Sequence, residues 1–249
     1  MLWLIGGTSE SRAIAQRLSQ QGCSWIATVV TPSATRLYQR LTGQVRVGAL
    51  DTGSIQALIE RYGVRAIVDA SHPFATEISQ QAMATGLPYL RFERQAYSLS
   101  TPAESLPDLE ALLQPQYLEN RRVFLTLGIK ALPRFQPWHQ RACLWARILP
   151  TAEAQALRAG FRKGRLVCDR PGRDIAAEKA LWQRLGVDTV VTKASGAPGG
   201  MPVKLAAAQA LGVRLLVIAR PALAYPRQTH DLDEVMAFCL RKLEGTGSL

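Results

Sequence analysis

A stretch of small residues near the N-terminus carries the most informative chemistry of this chain. It directly follows the apolar residues 2–5, precedes a helical pattern, and consists of Gly6, Gly7, Thr8, Ser9 and Glu10. A glycine turn at a helix N-terminus presents unpaired backbone N–H groups and a partial positive charge, and both favour a bound anion. At the start of a βα series the stretch predicts a nucleotide phosphate loop, although the third glycine of G-x-G-x-x-G is absent. An ordinary tight turn is the alternative interpretation.

A second candidate stretch, Ser71-His72-Pro73-Phe74, follows the apolar residues 66–70. Pro73 suits the first turn of a helix, because its missing N–H costs little there, and Ser71 suits the N-cap. His72 would then project from the carboxyl end of the sheet, where open α/β folds bind their ligands. A purely structural hydrogen bond is the alternative role for His72.

The residues after the second predicted strand bear on the choice of dinucleotide. NAD-preferring folds commonly end this strand with an acidic residue that holds the ribose 2′-hydroxyl. This chain has no acid there and offers Thr31, Ser33 and Arg36 instead. Hydroxyls and a guanidinium suit a 2′-phosphate, so the sequence favours NADPH over NADH. A capped turn into a helix over residues 34–41 is the alternative.

Alternating apolar runs and helical patterns must position these stretches. Strands are predicted near residues 2–5, 24–30, 44–48, 66–70 and 87–92, and again near 123–128, 142–149, 165–168, 189–192 and 214–218. This alternation predicts the α/β class, with parallel sheets flanked by helices. We expect two Rossmann-like lobes with a cleft between them: a nucleotide-binding lobe over residues 1–100 and an α/β lobe over 101–249, whose last helix is free to pack back on the first lobe. Residues 100–107 are the predicted linker.

Polar residues follow the ends of several predicted strands in the second half of the chain, and they predict a site for a ligand with several carboxylates. We expect no metal in this site. The glycine-rich loop before the helix at 201–211 carries Lys193, Ser195 and Gly196, Lys204 lies in that helix, and Arg220 leaves the last strand. Lysine attracts a carboxylate as a point charge, and arginine grips it with two parallel hydrogen bonds. A single lysine is usually just solvated, so the prediction depends on the concentration of these residues at strand ends.

The charge of the chain favours anionic partners. The 249 residues have a formal net charge of +11, from 30 basic and 19 acidic residues. The two densest basic groups, Arg121-Arg122 and Arg162-Lys163-Gly164-Arg165, are interpreted as solvated turns. Because no basic stripe or exposed aromatic platform accompanies them, we expect no nucleic-acid partner. The apolar runs are too short to span a bilayer, so we expect no membrane partner either.

The cysteines and the N-terminus favour a cytoplasmic protein. No two cysteines form a C-x-x-C pair, so the sequence indicates neither a zinc site nor a disulfide framework. The first apolar run leads straight into the glycine loop, so we expect no signal peptide.

Several short motifs then occur in an order that identifies a family resemblance. They are Gly6-Gly7-Thr8-Ser9-Glu10, Asp69-Ala70-Ser71-His72-Pro73-Phe74-Ala75, Arg91-Phe92-Glu93-Arg94, Thr126-Leu127-Gly128, Arg147-Ile148-Leu149-Pro150, Thr192-Lys193-Ala194-Ser195-Gly196 and Arg220-Pro221. Over nearly its whole length the chain resembles the precorrin-6A reductase family of corrin biosynthesis. The resemblance implies NADPH-dependent reduction of one double bond in the precorrin-6A macrocycle to give precorrin-6B. In the anaerobic route it implies the cobalt-containing form of that substrate.

The resemblance and the residue chemistry together suggest a role for each candidate. Gly6 to Glu10, with Thr31, Ser33 and Arg36, would hold the dinucleotide, and Ser71, His72 and Phe74 would lie beside its nicotinamide. His72 is also the candidate catalytic proton donor, with water as the alternative. Substrate carboxylates would be bound by Lys193, Ser195, Gly196, Lys204 and Arg220. Transient contacts with neighbouring enzymes of the pathway are compatible with this assignment, which leaves the oligomeric state open.

Two other function classes compete with this interpretation. A tetrapyrrole methyltransferase dependent on S-adenosylmethionine would also use a glycine loop after its first strand. The missing acid after the second strand disfavours it, because such enzymes usually hold a ribose there. A basic module that binds nucleic acid without catalysis is the second alternative, and salt-sensitive binding to random DNA would support it.

Overall fold

The chain folds into alternating strands and helices, and the computed structural model describes residues 1–95, 103–170 and 174–244. Within these ranges the strands are β1 (Leu2–Ile5), β2 (Trp25–Val29), β3 (Gln44–Val47), β4 (Ala66–Asp69), β5 (Tyr89–Phe92), β6 (Ala103–Leu106), β7 (Arg122–Leu125), β8 (Cys143–Ile148), β9 (Leu166–Cys168), β10 (Thr189–Lys193), β11 (Arg214–Ile218) and β12 (Gln228–Thr229). The α-helices are α1 (Ser9–Gln20), α2 (Thr52–Tyr62), α3 (Thr76–Met83), α4 (Leu109–Leu112), α5 (Pro115–Leu118), α6 (Glu153–Arg158), α7 (Ile175–Leu185), α8 (Met201–Leu211) and α9 (Leu232–Glu244). Short 3-10 helices lie at Pro32–Tyr38, Ile129–Trp138, Pro150–Ala152, Lys163–Arg165 and Ala197–Gly199.

The described residues separate into two compact units, one formed by residues 1–95 and 222–244 and the other by residues 103–221. The first unit contains a parallel six-stranded sheet in the order β12-β5-β4-β1-β2-β3. All four residues of β1 are buried, as expected for a strand that helices cover on both faces. One face of the sheet packs in a cluster with α1 and α9, and the other packs with α2 and α3. The C-terminal helix is therefore part of the core of the first unit.

The second unit is built around a parallel sheet in the order β6-β11-β10-β7-β8-β9. Helices α7 and α8 cover one face, where Trp182 and Met201 join a cluster with Phe124 and Trp145. The 3-10 helix at Ile129–Trp138 contributes four further buried apolar side chains. No helix within the described ranges is both long enough and apolar enough to cross a bilayer.

Each sheet contains a point at which the direction of strand addition reverses. In the first unit the chain adds β2 and β3 on one side of β1, and then β4 and β5 on the other. In the second unit it adds β8 and β9 on one side of β7, and then β10 and β11 on the other. Open α/β sheets bind ligands at such switch points, outside the carboxyl ends of the strands. The loops after β1, β4, β7 and β10 are therefore the places to look for a site.

The predicted architecture is confirmed, since both units are α/β with parallel sheets flanked by helices. The boundary predicted between residues 100 and 101 lies outside the described residues. Part of the predicted linker is wrong, because Ala103–Leu106 forms β6 alongside β11. As an edge strand β6 has a neighbour on one side only, so it tolerates polar residues that suggested a linker. The helix predicted over residues 34–41 is instead the 3-10 helix Pro32–Tyr38.

Candidate functional site

Two glycines and a tyrosine shape the loop between β1 and α1. A Cβ on Gly6 would lie 2.1 Å from the Tyr38 hydroxyl, so a larger residue fits only if that side chain moves. Gly7 has a φ of +97°, a conformation that L side chains rarely adopt. The Tyr38 hydroxyl accepts a hydrogen bond from the Gly7 N–H at 2.9 Å and lies 2.6 Å from the Ser11 Oγ. Burial raises the pKa of Tyr38, so the phenol remains neutral.

Thr8 uses both of its hydrogen-bond donors to hold this loop in place. Its hydroxyl donates to the Ala70 carbonyl at 2.7 Å, and its backbone N–H donates to the Ser11 Oγ at 3.0 Å. The Thr8 hydroxyl oxygen also accepts from the Ser11 N–H, which completes a capping box at the start of α1. Thr8 thus joins the loops after β1 and β4 across the switch point. Its predicted role as a hydroxyl donor to phosphate is corrected to a positioning role, because neither donor is left for a ligand.

Glu10 is neutralised by an arginine that follows β5. The Arg94 Nε lies 2.7 Å from Glu10 Oε1, and the Ser9 hydroxyl donates to Oε2 at 2.9 Å. Burial opposes the ionisation of Glu10, but the charge and hydrogen bonds of Arg94 outweigh it and hold the pKa below its usual range. Because the carboxylate is paired in this way, it does not present an uncompensated negative charge beside a candidate phosphate loop.

The turn after β2 leaves its polar side chains in solvent. Thr31, Ser33 and Arg36 are all exposed, and the Thr31 and Ser33 hydroxyls lie 3.2 Å apart. The 3-10 helix that carries them has no acidic residue in its first turn and has Arg36 in its last turn. The same helix ends at Tyr38, whose hydroxyl binds the Gly7 N–H. The structure therefore brings this turn and the glycine loop to one edge of the sheet.

A buried ion pair anchors the loop after β4. Asp69 ends β4 and accepts a hydrogen bond of 2.9 Å from Arg91 Nη1, and both residues are 0% exposed. Asp69 also accepts hydrogen bonds from Ser79 Oγ and the Tyr89 hydroxyl, each at 2.6 Å. Arg91 in turn donates to the Ser71 Oγ at 3.0 Å and to the Ser71 carbonyl at 3.2 Å. Ser71 is therefore buried beneath the loop, where it connects the ion pair to the residues above it.

The charges of this network are strongly fixed. Burial disfavours the guanidinium of Arg91, but the carboxylates of Asp69 and Glu93 outweigh that effect and raise its pKa. Burial and the neighbouring Asp69 carboxylate raise the pKa of Tyr89, so its hydroxyl remains a hydrogen-bond donor. The Arg91 guanidinium also lies over the Tyr225 ring, 5.3 Å from its centroid.

His72 is exposed above this network, beside the partly buried Phe74. The two ring centroids are 5.9 Å apart, and His72 Nδ1 accepts a hydrogen bond from the Phe74 N–H at 3.2 Å. This bond favours the neutral tautomer that carries its proton on Nε2. The predicted N-cap role of Ser71 is wrong, because α3 begins at Thr76 with Ala75 at its N-cap.

In the second unit, Lys193 and Lys130 flank the switch point. Burial lowers the pKa of Lys193, and the positive charge of Lys130 lowers it further. Lys130 belongs to the segment after β7, whereas Lys193 ends β10, the neighbouring strand. An anion beside two like charges relieves their repulsion, so this pair suits a carboxylate.

Glycines turn the loop after β10 back on itself. Gly196 and Gly200 both have a φ of +76°. A Cβ on Gly199 would lie 1.9 Å from the Ser195 Oγ, so this position has room for glycine alone unless the serine moves. Ser195 is buried, and its hydroxyl lies 3.3 Å from the Lys193 carbonyl, to which it donates. Ser195 and Gly196 therefore shape the loop that carries Lys193.

Lys204 differs from its prediction, because its ammonium group is buried rather than presented to a ligand. The side chain is 3% exposed, and Nζ donates to Thr192 Oγ1 and to the Gly199 carbonyl, both at 2.9 Å. Burial lowers the pKa of Lys204 to about 8, an effect that Arg147 reinforces and Glu178 opposes. Lys204 thus ties α8 to the loop before it, and its predicted contact with substrate is corrected to a positioning role.

A second buried ion pair lies beside Lys204. Arg147 Nη1 and Nη2 donate to the two carboxylate oxygens of Glu178 at 3.0 and 2.9 Å. Trp182 Nε1 donates to the same carboxylate at 2.9 Å. The arrangement joins the end of β8 to α7 and places fixed charges under the loops of the second unit.

Arg220 follows β11 and contacts the loop after the neighbouring strand, β10. Its Nε donates to the Ala194 carbonyl at 2.7 Å, and the residue is partly exposed after β11. Across the described parts of the chain, no group of three or more His, Cys, Asp or Glu side chains could hold a metal ion. The charge at this edge comes from lysine and arginine.

Three residues at these edges were not among the predicted site residues. Tyr38 lies far from the glycine loop in sequence, and no local signal marks its contact with Gly7. Arg94 belongs to the motif Arg91-Phe92-Glu93-Arg94, so its position directly after β5 was a usable signal. Lys130 follows Gly128 by two residues, and a basic residue after a glycine strand exit was a usable signal as well.

Sequence comparisons relate the chain to one family. Residues 1–240 match a family model described as Precorrin-6x reductase CbiJ/CobK. The chain is 44% identical to the cobalt-precorrin-6A reductase of Synechocystis sp., with 97% of each chain covered. It is 32% identical to the cobalt-precorrin-6A reductase of Priestia megaterium, with 95% of this chain and 96% of the relative covered. It is 33% identical to the precorrin-6A reductase of Mycobacterium tuberculosis, with 93% of each chain covered.

A structural comparison agrees with these relatives. The solved structure of the CobK precorrin-6A reductase superposes with a TM-score of 0.76 at 25% sequence identity. The match covers 97% of this chain and 96% of that chain. The similarity therefore extends over both units rather than over a single shared nucleotide-binding motif.

Proposed function

The chain belongs to the precorrin-6x reductase family, and from this premise we propose how its residues carry out the reduction. It is an oxidoreductase that acts on a CH–CH group of a tetrapyrrole macrocycle, precorrin-6A or its cobalt complex, to give the corresponding precorrin-6B. The observation that carries this conclusion is the 44% identity to a cobalt-precorrin-6A reductase over 97% of both chains. The methyltransferase and nucleic-acid alternatives have no comparable support.

We propose NADPH as the cofactor, held by the first unit. A Cβ on Gly7 would meet nothing within 4 Å, so the loop after β1 leaves room for a bound group beside Gly7. Gly6, Gly7 and the start of α1 suit the pyrophosphate, with Thr8 positioning the loop and Ser9 and Glu10 opening the helix. The exposed Thr31, Ser33 and Arg36 suit a 2′-phosphate. When bound, a reduced nicotinamide supplies the hydride.

We propose His72 as the residue that holds the proton for the neighbouring carbon. The Phe74 N–H donates to Nδ1, so Nε2 is the nitrogen that exchanges a proton; delivery of that proton to carbon is balanced by a proton that the exposed imidazole takes from solvent. Ser71 and the ion pair beneath it keep this loop in one conformation. Phe74 offers an apolar face next to the imidazole, with the two ring centroids 5.9 Å apart.

We propose that the second unit binds the acetate and propionate arms of the macrocycle. Lys193, Lys130 and Arg220 are the candidate carboxylate ligands, whereas Ser195, Gly196 and the buried Lys204 position the loop. Each exposed contact contributes about 1 kcal/mol or less, but several together can orient a rigid ring. All four cysteines are free, and we propose the reducing cytoplasm as the compartment.

The decisive experiment is anaerobic oxidation of NADPH with precorrin-6A and, separately, with its cobalt complex. Absorbance of both the cofactor and the macrocycle is followed, and NADH is the control. Turnover with one macrocycle supports the proposal and assigns the form of the substrate. Binding of NADPH without turnover of either macrocycle would contradict the substrate, and equal use of NADPH and NADH would contradict the role of the turn after β2.

The role of Arg36 can be tested separately. Arg36→Gln is expected to raise the KM for NADPH by about tenfold and to leave the KM for NADH unchanged, because only NADPH carries the 2′-phosphate. Arg61→Gln removes the same charge from α2 and is the matched control. A KM for NADPH that rises equally in both variants would indicate a general effect of charge.

A further inference from the structure

The basic groups at residues 121–122 and 162–165 come together in one cavity of the second unit. The cavity has a volume of about 580 Å³, and its lining includes Arg121, Arg122, Arg141, Arg162 and Arg165. These residues precede or begin β7, β8 and β9. In a parallel sheet the amino ends of the strands lie at the edge opposite their carboxyl ends, so this cavity is separate from the loops after β7 and β10. The interpretation of both groups as solvated turns is incomplete.

Aromatic rings and backbone carbonyls hold several of these arginines in place. The Arg165 guanidinium lies 4.1 Å from the ring centroid of Trp145, and the Arg141 guanidinium lies 4.4 Å from that of Trp138. Arg122 donates to two carbonyl groups at the end of α7. Stacking and hydrogen bonds of this kind restrict the side chains before a ligand arrives, which lowers the entropic cost of binding.

The wall of the cavity next to the arginines is also fixed. His139 Nε2 lies 3.1 Å from the Ala159 carbonyl, and the His139 ring packs edge-on against Phe161 at a centroid distance of 4.6 Å. Gly160 has a φ of +88°, and a Cβ there would lie 3.1 Å from the His139 ring. A glycine is therefore required where this wall bends around the histidine.

The cavity carries a large uncompensated positive charge. No Asp or Glu is among the described residues that line it. Arg141 pairs with Glu119 at 2.9 Å, but Arg121, Arg122, Arg162 and Arg165 form no ion pair with any acid in the described ranges. Like charges around one cavity repel each other, and a multivalent anion bound among them offsets that repulsion because each arginine attracts it.

We propose that this cavity binds a small anion that carries two or more phosphate or carboxylate groups. Arginine binds both groups with paired, parallel hydrogen bonds, and arginines from three loops can engage more than one group at once. The volume falls within the range of about 300–1,000 Å³ that is typical of small-molecule sites. Guanidinium groups already cover the Trp138 and Trp145 rings, so recognition is ionic and does not depend on stacking of a base.

The test is calorimetric titration of the full chain at low salt with pyrophosphate and with citrate. Orthophosphate and acetate are the single-group controls. Arg121→Gln combined with Arg162→Gln is expected to weaken the binding of the multivalent anion by about tenfold or more. Both residues are exposed, so the fold is expected to survive. Arg158→Gln combined with Arg184→Gln removes the same charge from exposed positions outside the cavity and is expected to weaken binding less than about twofold.

Each outcome bears on the proposal. Tighter binding of pyrophosphate identifies a phosphate-bearing ligand, and tighter binding of citrate identifies a polycarboxylate. Lys193→Gln is expected to keep the binding that the Arg121→Gln and Arg162→Gln double variant loses, because Lys193 lies at the other edge of the sheet. No binding of either anion, equal losses in the two double variants, or loss in Lys193→Gln of the same binding that the Arg121→Gln and Arg162→Gln double variant loses would overturn the proposal. These titrations need neither cofactor nor macrocycle, so their failure is distinct from failure of the reductase function.

Discussion

Replacing Asp69 by Asn tests whether the buried charge under the His72 loop holds the first unit together. Asp69 Oδ1 accepts from Arg91 Nη1 and from the Ser71 N–H, each at 2.9 Å. Oδ2 accepts from the hydroxyls of Ser79 and Tyr89, each at 2.6 Å. An asparagine with its carbonyl toward Arg91 keeps the first two bonds. Its amide nitrogen can donate to the two hydroxyls, which are able to reverse direction. The substitution therefore removes the charge and preserves the hydrogen bonds.

The expected loss of unfolding free energy follows from what remains around Arg91. Removing one partner of a buried ion pair typically costs about 3–5 kcal/mol. Here Glu93 Oε2 still lies 2.9 Å from Arg91 Nε, so part of the positive charge remains compensated. We expect Asp69→Asn to cost about 2–3 kcal/mol and Asp69→Ala, which also removes all four hydrogen bonds, about 5 kcal/mol. Glu93→Gln is the matched control and is expected to cost about 1 kcal/mol or less, because the Glu93 side chain is 22% exposed.

Urea and thermal unfolding of the three variants measure these losses. At about 2–4 °C per kcal/mol for a chain of this length, Asp69→Asn should lower the Tm by roughly 4–12 °C. NADPH affinity is the second readout, because Arg91 holds the Ser71 backbone beneath His72. A loss below about 1 kcal/mol for Asp69→Asn, or an equal loss for Glu93→Gln, would refute the reasoning that the buried charge of Asp69 is required.

Three further perturbations follow from the same geometry. The pKa of Lys204 is about 8 in the folded chain, against an ordinary value of 10.5. Between these two pH values the unfolded chain binds more protons than the folded chain, so the free energy of unfolding should increase with pH. The increase over this pH range should be about 3 kcal/mol. Lys204→Met should remove that rise, and a wild-type slope in urea unfolding of the variant would contradict it. Gly6→Ala should weaken NADPH binding by about tenfold or more, because its Cβ would collide with the Tyr38 hydroxyl, and Tyr38→Phe in the same chain should restore part of it. His72→Ala should lower kcat by about 10²-fold or more with little change in the NADPH dissociation constant, and normal turnover would exclude His72 as the proton donor.

The sequence is most informative where an apolar run ends at a glycine or a small polar residue. Gly6 and Gly7 stand out in the sequence because four apolar residues precede them and a helical pattern follows. The loop at Ser71 stands out for the same reason. Buried parallel strands are continuous apolar runs, so the residues at which they end can be identified without a structure. The loops at a switch point begin at those residues, so they can be identified as well.

The sequence is least informative where a polar side chain is buried or a contact is distant. Lys204 has the residue type of a ligand-binding group, and only its bonds to Thr192 and Gly199 reveal that it positions a loop. Tyr38 meets Gly7 across 31 positions of the chain. The strand at Ala103–Leu106 carries too few apolar residues to be recognised, because an edge strand depends on pairing with β11 more than on burial.

The two units hold their switch-point loops with the same kind of device. Asp69 and Arg91 lie under the loop after β4, and Arg147, Glu178 and Lys204 lie under the loop after β10. Buried ion pairs add little to stability compared with apolar side chains, so their presence at strand ends is better explained by the precise loop positions that they impose. The second cluster has one positive charge in excess, whereas Arg91 in the first unit is paired with two carboxylates, those of Asp69 and Glu93. The second unit therefore carries a positive charge even beneath its loops, which supports the proposed binding of a ligand with several carboxylates there.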